Sequence, residues 1–73
     1  MEAVMRRFEL HRHDDVTGVS GTGVVAEGVL FDNGQAVVRW KGEYGTVVFH
    51  PQGLKSIKAI HLSHGGTEIV WLD

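Results

Sequence analysis

The chain has 73 residues, a net charge of −2 and no cysteine. Its length fits one domain, residues 1–73, and the lack of cysteine excludes disulfides and thiolate metal sites. The mild acidic excess argues against a non-specific nucleic-acid binder, and no segment approaches the roughly 20 apolar residues that span a bilayer. We therefore expect a cytoplasmic protein with no membrane partner and with nucleic acid disfavoured as a ligand.

The first predicted strand covers residues 7–11, where polar and apolar residues alternate with the period of a half-buried strand. Phe8 and Leu10 face inward in this interpretation. Residues 14–23 combine glycines, acids and hydroxyl residues, which predicts a long irregular loop. Residues 24–31 predict a second strand, with Gly28 as a bulge or bend that helps the sheet to curl.

The dipeptide Asn33-Gly34 between two apolar runs predicts a tight hairpin turn with positive φ angles. Residues 36–40 then return as a third strand, and a second turn over 41–45 leads into a fourth strand over 46–50. Pro51 ends that strand because it cannot donate a hydrogen bond to a neighbouring strand.

Residues 53–62 have apolar side chains at three- and four-residue spacing, which predicts one or two helical turns. The last predicted strand, residues 67–72, is apolar on both faces, so we expect one face to pack inside and the other against a second subunit. This order of elements is typical of a five-stranded, Src-homology-3-like small barrel, with an oligonucleotide-binding-type barrel as the alternative.

Several segments together resemble a known family: Phe8–Arg12, Gly18–Gly28, Val38–Trp40, His64–Thr67 and Val70–Trp71. The chain is similar over nearly its whole length to a family of short uncharacterised bacterial, archaeal and phage proteins. The occurrence of that family in phages implies a role in host interaction or anti-defence.

A narrower resemblance covers Gly45–Pro51, followed by Leu54 and Ile57. This layout is similar to the pore strand of plasmid-type dihydrofolate reductases, which are tetramers of small barrels. Where their motif has a glutamine and a tyrosine, this chain has Val48 and His50. The resemblance implies the barrel topology and suggests, as an alternative, a reductase-like enzyme with a shared pore.

Anion binding is the chemistry that the remaining polar residues favour. Glycines in the loop over 18–23 let backbone N–H groups converge on an anion, and its hydroxyl groups add donors. Arg39 and Lys41 would project from the outer face of one strand, and Arg12 could join them if its strand pairs nearby. The arginine fork suits phosphates. The predicted ligand-binding residues are Arg12, Ser20, Gly21, Thr22, Gly23, Arg39, Lys41 and Tyr44.

The histidines at spacings of two and three residues could supply imidazole ligands to a metal. The four that would do so are His11, His13, His61 and His64. We interpret them instead as solvated side chains near loops, with no metal bound, because stronger zinc motifs have more closely specified ligand sets.

These patterns predict a non-catalytic binding module, without a cofactor, that assembles as a homo-oligomer and binds a small anionic ligand such as a nucleotide. No nucleophile motif is present, and one chain has little room for a deep pocket. A protein-binding adaptor, gripping a partner with its long loop and Tyr44, is the alternative.

Overall fold

The computed structural model describes residues 4–13, 22–63 and 65–73. These form one five-stranded antiparallel sheet with the strand order β4-β3-β2-β1-β5, and a short helical segment precedes the last strand. The elements are β1 Arg6–Arg12, β2 Gly23–Leu30, β3 Ala36–Trp40, β4 Val47–His50, helix α1 Leu54–Ile57, the π-helical segment Lys58–Leu62, and β5 Thr67–Trp71.

Strand alternation separates the sheet into two faces. We call the face that carries the helical segment the helix face, and the opposite one the outer face. Phe8 and Leu10 point to the helix face and are fully buried, as the alternation predicts. The side chains on that face form the core: Phe8, Leu10, Val25, Ala26, Ala36, Val38 and Ile57.

The irregularity of β2 lies at Val25 and not at Gly28. The register of β1 against β2 shifts between Leu10 and His11, so Val25 is the extra residue, and both Val25 and Ala26 are buried. Gly28 instead pairs regularly with Phe8. A Cβ at Gly28 would lie 2.7 Å from Phe8 Cε2 and 2.7 Å from the Val37 carbonyl oxygen. Glycine is needed there because the Phe8 ring occupies the side-chain position.

The first hairpin turn is one residue longer than the two-residue turn that Asn-Gly predicts. Gly34 N–H donates to the Phe31 carbonyl (3.0 Å) and Phe31 N–H donates to the Gln35 carbonyl (2.7 Å). Only Gly34, at φ +90°, has a positive φ, whereas Asn33 accepts a hydrogen bond from Gln35 N–H at 3.0 Å. The loop is therefore a three-residue connection that ends in a left-handed glycine.

The helical segment packs on the core, but its inward-facing residues do not keep the three- and four-residue spacing predicted from the sequence. Ile57 is fully buried, but Ile60 is 54% exposed, and His61 and Leu62 turn inward instead. The cause is the π-helical geometry from Lys58 onward, where each turn accommodates an extra residue and rotates Ile60 out of line with Ile57.

The side chains of β5 alternate between the two faces of the sheet, as predicted. Ile69 and Trp71 pack against the core, and the Trp71 ring meets Phe8 edge-on with centroids 5.4 Å apart. By alternation, Val70 and Leu72 lie on the outer face. Asp73 follows Leu72. Its carboxylate accepts hydrogen bonds from the backbone N–H of Arg7 (2.9 Å) and from the Arg7 guanidinium (2.8 and 3.0 Å). These hydrogen bonds lower the pKa of Asp73 from 3.8 to about 2.

The sheet has two edges, β4 and β5, which do not pair with each other. The all-β architecture, the five strands and the helical turn before β5 are thus confirmed, while closure into a Src-homology-3-like barrel stays a prediction. Among the described helical segments, none has the length and apolar character that a membrane crossing requires.

Candidate functional site at one end of the sheet

Several of the predicted ligand-binding residues meet at one end of the sheet. Arg12, the last residue of β1, pairs with Gly23, the first residue of β2. Lys41 follows β3, and its N–H donates to the Val25 carbonyl at 3.0 Å. Thr22 precedes Gly23 and is exposed. We call Arg12, Thr22, Gly23 and Lys41 the sheet-end site.

The two cations of the sheet-end site lie on strands that have one strand between them. Neighbouring strands are about 4.8 Å apart, so Arg12 and Lys41 are separated by roughly 10 Å across the sheet. Neither side chain forms an ion pair with any residue in the described part of the chain. By alternation, Arg12 belongs to the helix face, like Leu10, and Lys41 to the outer face, like Arg39. A ligand that contacts both cations must therefore reach around the end of the sheet and have more than one anionic group.

Aromatic side chains border the sheet-end site. The Trp40 ring packs edge-on against His61, with centroids 4.7 Å apart, and Trp40 also contacts the core. Tyr44, in the turn that follows Lys41, is 87% exposed. A planar ring that is free on the surface can stack against a base or another flat group.

His61 packs against Trp40, and its pKa responds to the charge of Arg12. Burial of its ring lowers the pKa of His61, and the charges of His50 and Arg12 lower it further. The ring therefore favours its neutral form and adds no positive charge to the sheet-end site.

Arg39 does not join this group. It lies on the outer face, directly opposite Glu27 on β2, and its guanidinium forms an ion pair with the Glu27 carboxylate at 2.6 Å. Its charge is already balanced by that carboxylate, so Arg39 contributes less to anion binding than its position in the sequence suggests.

A shallow groove of about 330 Å³ lies on the outer face. Its lining is mainly apolar, with one arginine–carboxylate pair on each side, Arg7–Asp73 and Arg39–Glu27. The residues that line it are Arg7, Phe8, Glu27, Gly28, Val29, Val37, Arg39, Val47 and Leu72. An apolar groove of this kind suits a protein side chain better than a phosphate.

Three of the histidines named as possible metal ligands are among the described residues, and they do not gather in one place. His11 hydrogen-bonds Glu9 (2.9 Å) and His13 hydrogen-bonds Glu68 (2.8 Å), both through Nε2. His61 lies across the sheet, on the helix face. Residues 4–13, 22–63 and 65–73 contain no group of three or more metal-binding side chains.

Three of the predicted residues, Ser20, Gly21 and His64, lie outside the described residues. The same holds for most of the glycine-rich loop over 14–23, of which only Thr22 and Gly23 are described. The anion-binding role assigned to this loop therefore stays a prediction.

Sequence reasoning missed a buried histidine. His50 is 3% exposed, and a hydrogen bond of 2.9 Å joins its Nδ1 to Ser56 Oγ. Its Nε2 has no partner in the described part of the chain, and the His61 ring lies 6.0 Å away. No carboxylate of residues 4–13, 22–63 or 65–73 contacts that nitrogen, so these residues do not assemble a serine–histidine–acid triad.

A model of the family described as "Acb5 phage protein" matches residues 5–73, which is nearly the whole chain. No curated protein and no solved structure matches the chain significantly. The reductase-like layout of Gly45–Pro51 thus gains no support from known proteins.

Proposed function

From the premise that this chain belongs to the Acb5 phage protein family, we propose that it is a non-catalytic module that binds a small anionic ligand, such as a nucleotide, in the host cytoplasm. The observation that carries the proposal is the position of Arg12 and Lys41. Both lie at one end of the sheet, beside Thr22 and Gly23, where the glycine-rich loop ends, and neither has an ion-pair partner among the described residues.

The binding mode follows from the chemistry of that end. Arg12 and Lys41 take separate phosphate oxygens, while the loop that ends at Gly23 adds backbone and hydroxyl donors. Tyr44 offers a free ring on which a base can stack. For a phage-family protein, binding of a host nucleotide signal would be an anti-defence role. Sequestration by binding alone would suffice, because it lowers the free concentration of the signal.

Isothermal titration calorimetry against a panel of nucleotides tests the proposal. The folded protein should give a saturable heat with at least one member, and Arg12→Gln and Lys41→Gln should each weaken that binding about tenfold or more, which corresponds to the loss of a charge-assisted contact. Lys58→Gln is the matched control, since it removes one positive charge from an exposed position on the helical segment. Absence of heat for every member of the panel would refute the proposal.

A protein-binding adaptor is the second candidate, favoured by the apolar groove on the outer face and by the exposure of Tyr44. An adaptor should retain a specific host protein in a pull-down, and Val37→Glu in the groove should abolish that retention. A ligand-binding module should retain none, whatever its affinity for nucleotides. A spectrophotometric assay of nicotinamide oxidation tests the alternative of a reductase-like enzyme, and we expect no oxidation.

A further inference from the structure

Strand β4 is an edge strand that is apolar and open to solvent. Val47 is 65% exposed, Val48 38% and Phe49 53%, although all three are large apolar residues. On one side β4 pairs with β3, and no described strand lies on its other side. Exposed apolar edge strands of this kind add another strand readily.

The backbone of β4 presents free hydrogen-bonding groups at that edge. Trp40 N–H donates to the Thr46 carbonyl at 2.8 Å, which makes residues 40 and 46 a hydrogen-bonded pair. Because such pairs alternate in an antiparallel ladder, the backbone groups of Val47 and Phe49 point away from β3. These two residues therefore offer their N–H and C=O groups to an incoming strand.

The other edge of the sheet is protected. β5 contains the charged residue Glu68, and Arg6 covers the Trp71 ring with its guanidinium 4.0 Å from the ring centroid. Charged side chains on an edge strand oppose the addition of another strand. β4 contains no charged residue, so the asymmetry between the edges marks β4 as the one that takes a partner.

The charges near this edge favour a second copy of the chain as its partner. Two β4 strands paired antiparallel about a two-fold axis oppose no lysine, arginine, aspartate or glutamate, since Val47–His50 contains none of them. The same symmetry brings the turn before β4 of one copy beside the segment after β4 of the other. Glu43 lies in that turn and Lys55 in that segment, and both are exposed, so this symmetry would bring opposite charges towards each other at both ends of the contact.

We propose that the protein forms a symmetric dimer in which β4 pairs with β4 of a second copy and joins the two sheets into one ten-stranded sheet. This proposal assigns a contact to the homo-oligomer expected from the sequence, goes beyond the proposed function and is independent of which ligand is bound. In the dimer the Phe49 side chains and the outer-face grooves of both copies form one continuous apolar surface. The contact is short, so we expect a reversible dimer whose population depends on concentration.

Sedimentation equilibrium of the full chain tests the dimer. The wild-type mass should reach twice the 8.0 kDa of one chain as concentration rises. Val47→Lys places a charge on the edge, and Val47→Pro removes a donor that points away from β3, so both should halve the mass while the circular dichroism stays native. Val4→Lys, at a position that is 66% exposed outside the sheet, is the matched control and should remain dimeric.

A charge exchange tests the orientation of the two copies. Glu43→Lys and Lys55→Glu should each weaken the dimer at least twofold, and the double variant should recover the wild-type dissociation constant. A wild-type monomer at all concentrations, or a dimer that survives both Val47 variants, would overturn the proposal. Nucleotide titration of the same samples separates the two hypotheses, because a dimer without ligand heat contradicts only the proposed function, and a ligand-binding monomer contradicts only the dimer.

Discussion

His61 packs against Trp40 on the helix face, with His50 and Arg12 as its charged or titratable neighbours. Burial of the ring and these two neighbours lower its pKa below the ordinary value of 6.5. Above pH 6.5 both the folded and the unfolded state hold a neutral ring. Below it the unfolded state binds the proton first, so the folded state loses stability until the pH passes the lowered pKa.

We therefore expect the melting temperature to fall between pH 7 and pH 5, and His61→Phe to reduce that fall. Phenylalanine keeps a ring against Trp40 but cannot be protonated. Asp73 does not contribute in this range, because its titration lies between 3.8 and about 2. Thermal unfolding followed by circular dichroism at several pH values measures the effect. An identical pH profile for the variant and the wild type would contradict the role given to His61.

At the scale of elements, Gly53 determines how the helical segment meets the sheet. It precedes α1 with φ +62°, and its N–H donates to the His50 carbonyl at 2.9 Å. A Cβ at this position would collide with the Gly34 carbonyl oxygen in the first hairpin turn. The backbones of two turns that are distant in sequence thus lie against each other, and this contact positions Ile57 over the core.

A pair of glycine variants separates backbone strain from lack of space. Gly34 also has a positive φ, but a Cβ there meets nothing within 4 Å. Gly34→Ala should cost about 1–2 kcal/mol for the left-handed conformation alone, while Gly53→Ala should cost about 1–3 kcal/mol more through the collision. Urea unfolding measures both free energies. Equal losses would show that the contact between the two turns does not constrain the fold.

At the scale of the whole molecule, the small core gives the monomer little stability, and the open β4 edge is where a partner can add some. Only seven apolar residues in the described part of the chain are buried, and so small a core leaves a domain marginally stable. Pairing of two β4 edges would cover Val47, Val48 and Phe49 and add stability where the monomer lacks it. The stability of the fold should then depend on the concentration of the protein.

The melting temperature should accordingly rise with protein concentration. For a folded dimer, each tenfold increase adds about 1.4 kcal/mol to the free energy of unfolding, which for two chains of this length corresponds to roughly 4 °C. Val47→Lys should melt at one temperature at every concentration. Differential scanning calorimetry over a dilution series measures this dependence. A wild-type melting temperature that is the same at every concentration would contradict a dimer coupled to folding.

The sequence by itself determined the properties that depend on neighbours along the chain. Period-two alternation assigned Phe8 and Leu10 to the core and separated Ile69 and Trp71 from Val70 and Leu72. Pro51 and the glycine-containing turns marked where strands end. These predictions hold because strand geometry places successive side chains on opposite faces whatever the strand pairs with.

Tertiary structure alone decided what depends on residues far apart in the sequence. Alternation does not show which strand lies at an edge, so it does not reveal that Phe49 is half exposed. It does not show that Phe8 fills the space over Gly28, that Glu27 balances Arg39, or that His50 is buried beside Ser56. Each of these follows from strand register and helix packing, and both are set by contacts between remote parts of the chain.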